Sequence, residues 1–219
     1  MYNYDLINNH YIVNVDGDKY LIDTGSPFSF WVSRPIKEIT IDGNNYPLHG
    51  KPANLDLNET RNLVGVEVDG FIGLDIILKT GLTIYKNGTI EFAVKEIGGT
   101  ETMMATRPCL MAAVNCNLMF GRFIIDTGAK YGYGIKSVFT EQKPFGTVKD
   151  YNPMLGHLES DIYHLDIDVG SQSKTIDVCD NQDVAFTLRQ LGAFMIGNVS
   201  SLFEEACVLD TKKGRLIIK

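Results

Sequence analysis

The tripeptide Asp-Thr-Gly occurs twice, as Asp23-Thr24-Gly25 and as Asp126-Thr127-Gly128, each time directly after an apolar run. Each residue type has a part to play: the apolar strand anchors the aspartate, the glycine permits a tight turn, and the threonine hydroxyl can hydrogen-bond locally to hold the loop. Carboxylates presented in this way are proton-transfer groups. A single copy would be an ordinary hairpin turn, because Asp and Gly are common turn residues. Two copies in phase are much harder to attribute to turns. Laying the chain on itself places Tyr20-Leu21-Ile22-Asp23-Thr24-Gly25-Ser26 over Phe123-Ile124-Ile125-Asp126-Thr127-Gly128-Ala129. Further on, Phe71-Ile72-Gly73 falls over Met195-Ile196-Gly197, and eleven residues beyond each glycine a strand is expected to begin, at Ile84 and at Val208.

Other chemistries find no support. His10, His49, His157 and His164 are scattered without a Ser or Cys partner in a recognisable motif, which removes a serine or cysteine nucleophile. No metal-ligand cluster and no phosphate-binding glycine loop is present, so neither metal nor cofactor is expected. Cys109, Cys116, Cys179 and Cys207 lack any C-x-x-C spacing and read as buried free thiols, two disulfides being the alternative in an exported protein. With 44% hydrophobic and 21% charged residues in 219, the composition is that of a soluble globular protein. A net charge of −7 leaves no basic stripe, which speaks against nucleic acid and anionic membranes as partners. The first twenty residues hold no apolar stretch resembling a leader or a span; a cytoplasmic location follows only if Met1 is the native start. Trp31 is assigned to core packing.

The elements that must position the aspartates are strands. Short alternating runs recur between Asp16-Gly17, Asp42-Gly43 and Asn87-Gly88, pairs that supply the positive φ of tight hairpins, and helical periodicity is scarce. The expected class is all-β, with two pseudo-two-fold-related β-barrel lobes and the site between them. Lobe one is placed at residues 1–97, a small polar linker at 98–105 beginning Gly98-Gly99-Thr100, and lobe two at 106–219.

Taken together, the two motifs resemble those of the aspartic peptidase clan, the pepsin-like and retropepsin-like families, over almost the full chain. Leu21-Ile22-Asp23-Thr24-Gly25-Ser26 with Phe71-Ile72-Gly73, and Ile124-Ile125-Asp126-Thr127-Gly128-Ala129 with Met195-Ile196-Gly197, match the catalytic loop and second apolar-apolar-Gly segment of each lobe in that clan. The resemblance implies an acid-protease fold, Asp23 and Asp126 as a dyad sharing one proton, a water activated between them, and an extended peptide or protein substrate. It implies that one chain suffices, both aspartates being on it. The rival reading is an idle module that keeps the cleft and binds peptides without cutting them.

Two features depart from the clan. Asp23 and Gly73 are 50 residues apart, against 71 between Asp126 and Gly197, which leaves lobe one little room for the hairpin that closes over substrate. The longer lobe two offers a candidate flap around Tyr151, Asn152 and Pro153, an ordinary surface loop being the alternative. The residue after each motif also differs: the Ser26 hydroxyl is expected to donate to Asp23, while Ala129 has none to give Asp126. The shared proton is therefore expected on the Asp126 side, with an acid limb above that of pepsin.

Overall fold

The structure is a computed structural model that describes residues 1–117, 119–140 and 142–219. In the first half, β1 (Tyr2–Ile7), β2 (His10–Val15) and β3 (Asp18–Ile22) form consecutive hairpins, followed by β4 (Phe30–Trp31) and the hairpin β5 (Glu38–Ile41) and β6 (Asn44–Pro47). Then come α1 (Leu57–Val64), β7 (Gly70–Ile72), α2 (Leu74–Thr80), β8 (Leu82–Tyr85) and β9 (Thr89–Glu91). The second half repeats the plan: β10 (Thr100–Ala105), β11 (Met111–Cys116), β12 (Met119–Ile125), β13 (Gly132–Gly134), β14 (Gly146–Asn152), β15 (Gly156–Val169), β16 (Gln172–Asp180), α3 (Gln182–Gln190), β17 (Met195–Gly197), β18 (Ala206–Asp210) and β19 (Arg215–Ile218). The fold is the all-β class expected from the sequence.

Alternation drives the strands. Along β15, Leu158, Ile162, Leu165, Ile167 and Val169 point inward while Glu159, Asp161, His164, Asp166 and Asp168 face water. The turns are set by residues that accept positive φ: Asp16 and Gly17 at 53° and 93°, Asp42 and Gly43 at 50° and 77°. The three α-helices among the described residues are short and were not legible from periodicity. Local signals define two of them: Asp56 caps α1 by accepting Asn58 N–H and Glu59 N–H, and Asn181 caps α3 in the same way.

A six-stranded antiparallel sheet, in the order β1-β9-β8-β18-β19-β10, takes three strands from each half. At its centre the equivalent strands β8 and β18 pair with each other, Thr83 opposite Val208 and Ile84 opposite Cys207. Antiparallel pairing of like strands is what a two-fold axis through the sheet produces. Beneath it one core cluster joins both halves, from Tyr11 and Ile22 to Ile125 and Leu216. Trp31 packs partly buried against it, and the four cysteines are unpaired.

Two expectations change. The stretch 98–105 is not all linker: only Gly98 and Gly99 cross between the halves, and Thr100–Ala105 is β10, hydrogen-bonded to β19. Its polar residues made it resemble a loop, but they alternate along the edge of a sheet. The internal alignment also shifts by one residue. Ile22 pairs with Ile72, whereas Ile125 pairs with Gly197, and Asp23 N–H and Asp126 N–H donate to the carbonyls of Ile72 and Gly197, both at 2.9 Å. The counterpart of Gly73 is therefore Asn198 and not Gly197. Gly73 opens α2, while Asn198 uses its carboxamide to tie loops together, so the two chain copies diverge at this position.

Candidate active site

Each aspartate sits one residue beyond a central strand, Asp23 after β3 and Asp126 after β12, and each strand is locked by a parallel partner, β7 or β17. The two Asp-Thr-Gly loops meet on the pseudo-axis and exchange hydrogen bonds reciprocally. Thr24 Oγ1 accepts Thr127 N–H at 3.0 Å and donates to Ile125 O at 2.8 Å; Thr127 Oγ1 accepts Thr24 N–H at 3.0 Å and donates to Ile22 O at 2.7 Å. Both threonines are fully buried, so every one of these polar groups depends on its partner in the other half.

This cross-bracing packs each carboxyl against the glycine of the other motif, Asp23 against Gly128 and Asp126 against Gly25, so the two face each other across the pseudo-axis. Asp23 Oδ1 accepts Gly25 N–H at 2.9 Å and Ser26 N–H at 3.0 Å, and Asp126 Oδ1 accepts Gly128 N–H at 3.0 Å. Removal from water raises both pKa values above the ordinary carboxylate range; for Asp126 the charge of Asp23 adds to this, and its pKa is pushed up to about 8. Two buried carboxyls this close cannot both ionise cheaply, so the pair as a unit holds a proton above the ordinary carboxylate range.

The expected role of the Ser26 hydroxyl is corrected. Ser26 Oγ donates to Phe28 O at 2.8 Å, and it is the Ser26 N–H that reaches Asp23. The Ala129 N–H donates to the backbone carbonyl of Asp126 at 3.2 Å, and because the Ser26 hydroxyl does not reach Asp23, the missing hydroxyl at Ala129 does not distinguish the two carboxyls. The hydroxyl is diverted because its own loop offers a carbonyl two residues on, a local bond open to any serine in a turn.

Support for the loops is unequal. In the first half Ser29, fully buried, donates through Oγ to Asp75 Oδ1 at 2.6 Å and accepts Gly73 N–H at 2.8 Å. In the second half support crosses from the β1–β2 turn. His10, also fully buried, places Nε2 3.0 Å from Gly128 O, Asn9 Nδ2 donates to Lys130 O at 3.1 Å, and Asn198 Nδ2 donates to Asn9 O and Thr127 O. Sequence reasoning left His10 as a histidine without a motif and did not single out Asn9. The Asn8-Asn9 pair, with φ of 47° and 68°, was the available turn signal.

Above the dyad lies a cleft of about 410 Å³, lined by both halves. Tyr151, Asn152 and Pro153 line it together with Asp23 and Asp126, at the tip of the β14–β15 hairpin. Asn152 Oδ1 accepts Met154 N–H and Leu155 N–H, which shapes the tip, and Asn54 Nδ2 donates across the cleft to Pro153 O at 3.4 Å. The shorter hairpin β5–β6 of the first half instead buries Ile39 and Ile41 in the core cluster shared by the two halves. In its place the segment from Pro52 to Leu55 and the helix α1 form the wall, a contribution not anticipated from sequence. Among the described residues no His, Cys, Asp and Glu cluster could hold a metal ion, and no helix is long and apolar enough to cross a membrane.

No family model matches the chain, and no curated protein matches it in sequence. Its structure is similar to that of an aspartic proteinase from Irpex lacteus, with a TM-score of 0.56 at 13% identity over 98% of this chain and 95% of that one. It is also similar to the protease of simian foamy virus (mac), with a TM-score of 0.33 at 14% identity over 42% of this chain and 90% of that one. The first likeness, over nearly all of both chains, establishes an aspartic protease-like fold.

Proposed function

We propose that this protein is an aspartic endopeptidase, with Asp23 and Asp126 as its catalytic pair and an extended polypeptide as its substrate. The observation that carries this reading is that the two carboxyls, each packed against the glycine of the other motif, line the same cleft between the halves. One charged and one neutral carboxyl in contact form the acid–base combination that hydrolysis requires. The Asp23 anion takes a proton from a water that attacks the peptide carbonyl, and the Asp126 acid donates to the oxygen as it gains charge. On collapse the same pair returns a proton to the leaving nitrogen, so no covalent intermediate forms.

Thr24, Gly25, Ser26, Thr127, Gly128 and Ala129 serve as supports that fix this geometry. The β14–β15 hairpin acts as the flap, with Tyr151, Asn152 and Pro153 over the bound strand, reversing the pepsin-like arrangement in which the first lobe closes. The substrate backbone pairs with the hairpin and the cleft walls, which satisfies its own N–H and C=O groups. One chain completes the site, so the active species is the monomer, with lobes at residues 1–97 and from Thr100 onward.

The test is incubation with an unbiased peptide library, with and without pepstatin, read by mass spectrometry of the products. Internal cleavage that pepstatin blocks and Asp126→Asn abolishes is the expected result. Binding of peptides without any cleavage across the acidic and neutral range would instead assign the idle peptide-binding module.

A further inference from the structure

The two walls of the cleft occupy equivalent positions in the two halves but differ in chemistry. Phe71 pairs with Leu21 and with Phe30; Ile196 pairs with Ile124 and with Tyr133. Leu21 and Ile124 each stand two residues before an aspartate, so Phe30 and Tyr133 hold the same register in the two copies. On the Asp23 side Phe30 stacks on Phe71 with ring centroids 4.5 Å apart, and Leu55 and Val64 complete an apolar wall. On the Asp126 side the added hydroxyl of Tyr133 donates to Asp150 Oδ2 at 2.7 Å, and Tyr151 N–H donates to Asp150 Oδ1 at 2.9 Å.

Asp150 is thus a third carboxylate in the cleft, held in place by one donor on each oxygen. A carboxylate has about four acceptor sites, so two donors leave it able to accept more. Among the described residues it has no cationic partner. Lys130, the one basic residue among those lining the cleft, holds its ammonium 5.2 Å from the centroid of the Tyr131 ring and forms no ion pair with Asp150. A fixed anion on the wall of a partly closed cleft selects a cationic partner, and it rejects apolar side chains that would leave it desolvated and unpaired.

Resting on the peptidase reading, we infer that the cleft is built for an asymmetric substrate: an apolar side chain against the Asp23-side wall and a lysine or arginine beside Asp150 on the other. The substrate class is a polypeptide cut next to a basic residue.

The experiment uses paired peptides that differ only in lysine against its uncharged near-isostere norleucine, placed in turn at each position around the cut. The wild type should favour lysine at one position by about tenfold or more, the range of a hydrogen bond to a charged group. Asp150→Asn should reduce that ratio to near one, and Asp150→Glu should retain most of it. Because the ratio is internal to each enzyme, a general loss of activity or of folded protein cancels. Reduced-amide versions of the same peptides, which cannot be cleaved, give the ratio from binding alone, so an enzyme that cuts nothing fails the peptidase reading without leaving the specificity undecided. A wild type indifferent to lysine at every position in both assays, or an Asp150→Asn variant with an unchanged ratio, overturns the inference.

Discussion

Gly128 lies so close to Asp23 that a Cβ added to it would fall 2.5 Å from Asp23 Oδ1, and Gly25 stands in the same relation to Asp126, at 2.6 Å. Each motif's glycine therefore makes room for the carboxyl of the other half, a role separate from any turn. Gly128→Ala should push Asp23 out of its place and separate it from Asp126. We expect kcat to fall by about 100-fold or more, with a stability loss of about 1–3 kcal/mol. Both can be read by steady-state kinetics and urea titration; near-normal kcat would mean that the pair tolerates separation.

The buried exchange between Thr24 and Thr127 makes a second prediction. Thr24→Val removes the acceptor of Thr127 N–H and the donor to Ile125 O in one step, leaving two buried backbone groups unpaired. The expected cost is about 2–4 kcal/mol, whereas Thr24→Ser, which keeps the hydroxyl, should cost about 1 kcal/mol or less. In a double-mutant cycle with Thr127→Val the losses should fall short of the sum, because both changes dismantle one network. Full additivity would show that the two loops are held independently.

How far this was legible from sequence depends on whether the signal was local. The strands, the Asp-Gly hairpins and the two Asp-Thr-Gly loops announce themselves through alternation and turn chemistry within a few residues. Asn198 was missed as the partner of Gly73 because glycine aligns with glycine, while the true match is set by strand register. The support from Asn9 and His10 was invisible for a related reason: their partners Lys130 and Gly128 lie more than 100 residues away, and the contacts are to backbone carbonyls, which carry no sequence identity. The path of the Ser26 hydroxyl turned on a choice between acceptors two and three residues away, a choice that only geometry makes.

His10 is the third test. Its imidazole lies 3.0 Å from Gly128 O and 3.3 Å from Ile7 O, and burial holds its pKa below the ordinary value. A histidine that takes up protons less readily when folded favours unfolding in acid. Stability should be full above about pH 6.5 and decline as pH falls through the window between the unfolded and folded pKa values. His10→Gln should flatten that decline. His10→Ala, which leaves a cavity and an undonated Gly128 carbonyl, should cost about 2–4 kcal/mol and lower kcat more than it raises KM, because the loop it braces carries Asp126. An unchanged acid slope in His10→Gln would separate the residue from the pH response.

The dyad should act on stability in the opposite sense. Both carboxyls have folded pKa values raised above the ordinary range, Asp126 to about 8, so between about pH 4 and 8 the folded protein holds a proton that the unfolded chain has lost. Stability contributed by that proton is present below the unfolded value and is lost as pH rises through the folded one. Asp126→Asn keeps the shape and a donor toward Asp23 but needs no proton. It should raise stability near pH 7 by about 1–3 kcal/mol and flatten the decline toward pH 8, while cutting activity by about 10⁴-fold or more. The same raised values predict that the one-proton state of the pair, and so catalysis, lies at higher pH than for ordinary carboxyls, with the basic limb set by loss of the last proton near pH 8. Ala129→Ser should leave the acid limb of kcat/KM where it is, because the equivalent hydroxyl of Ser26 bonds to Phe28 O and not to a carboxyl. A limb that moves to lower pH in Ala129→Ser would show that a hydroxyl at this position reaches Asp126. An Asp126→Asn variant less stable than wild type at pH 7 would remove burial as the cause of the raised pKa.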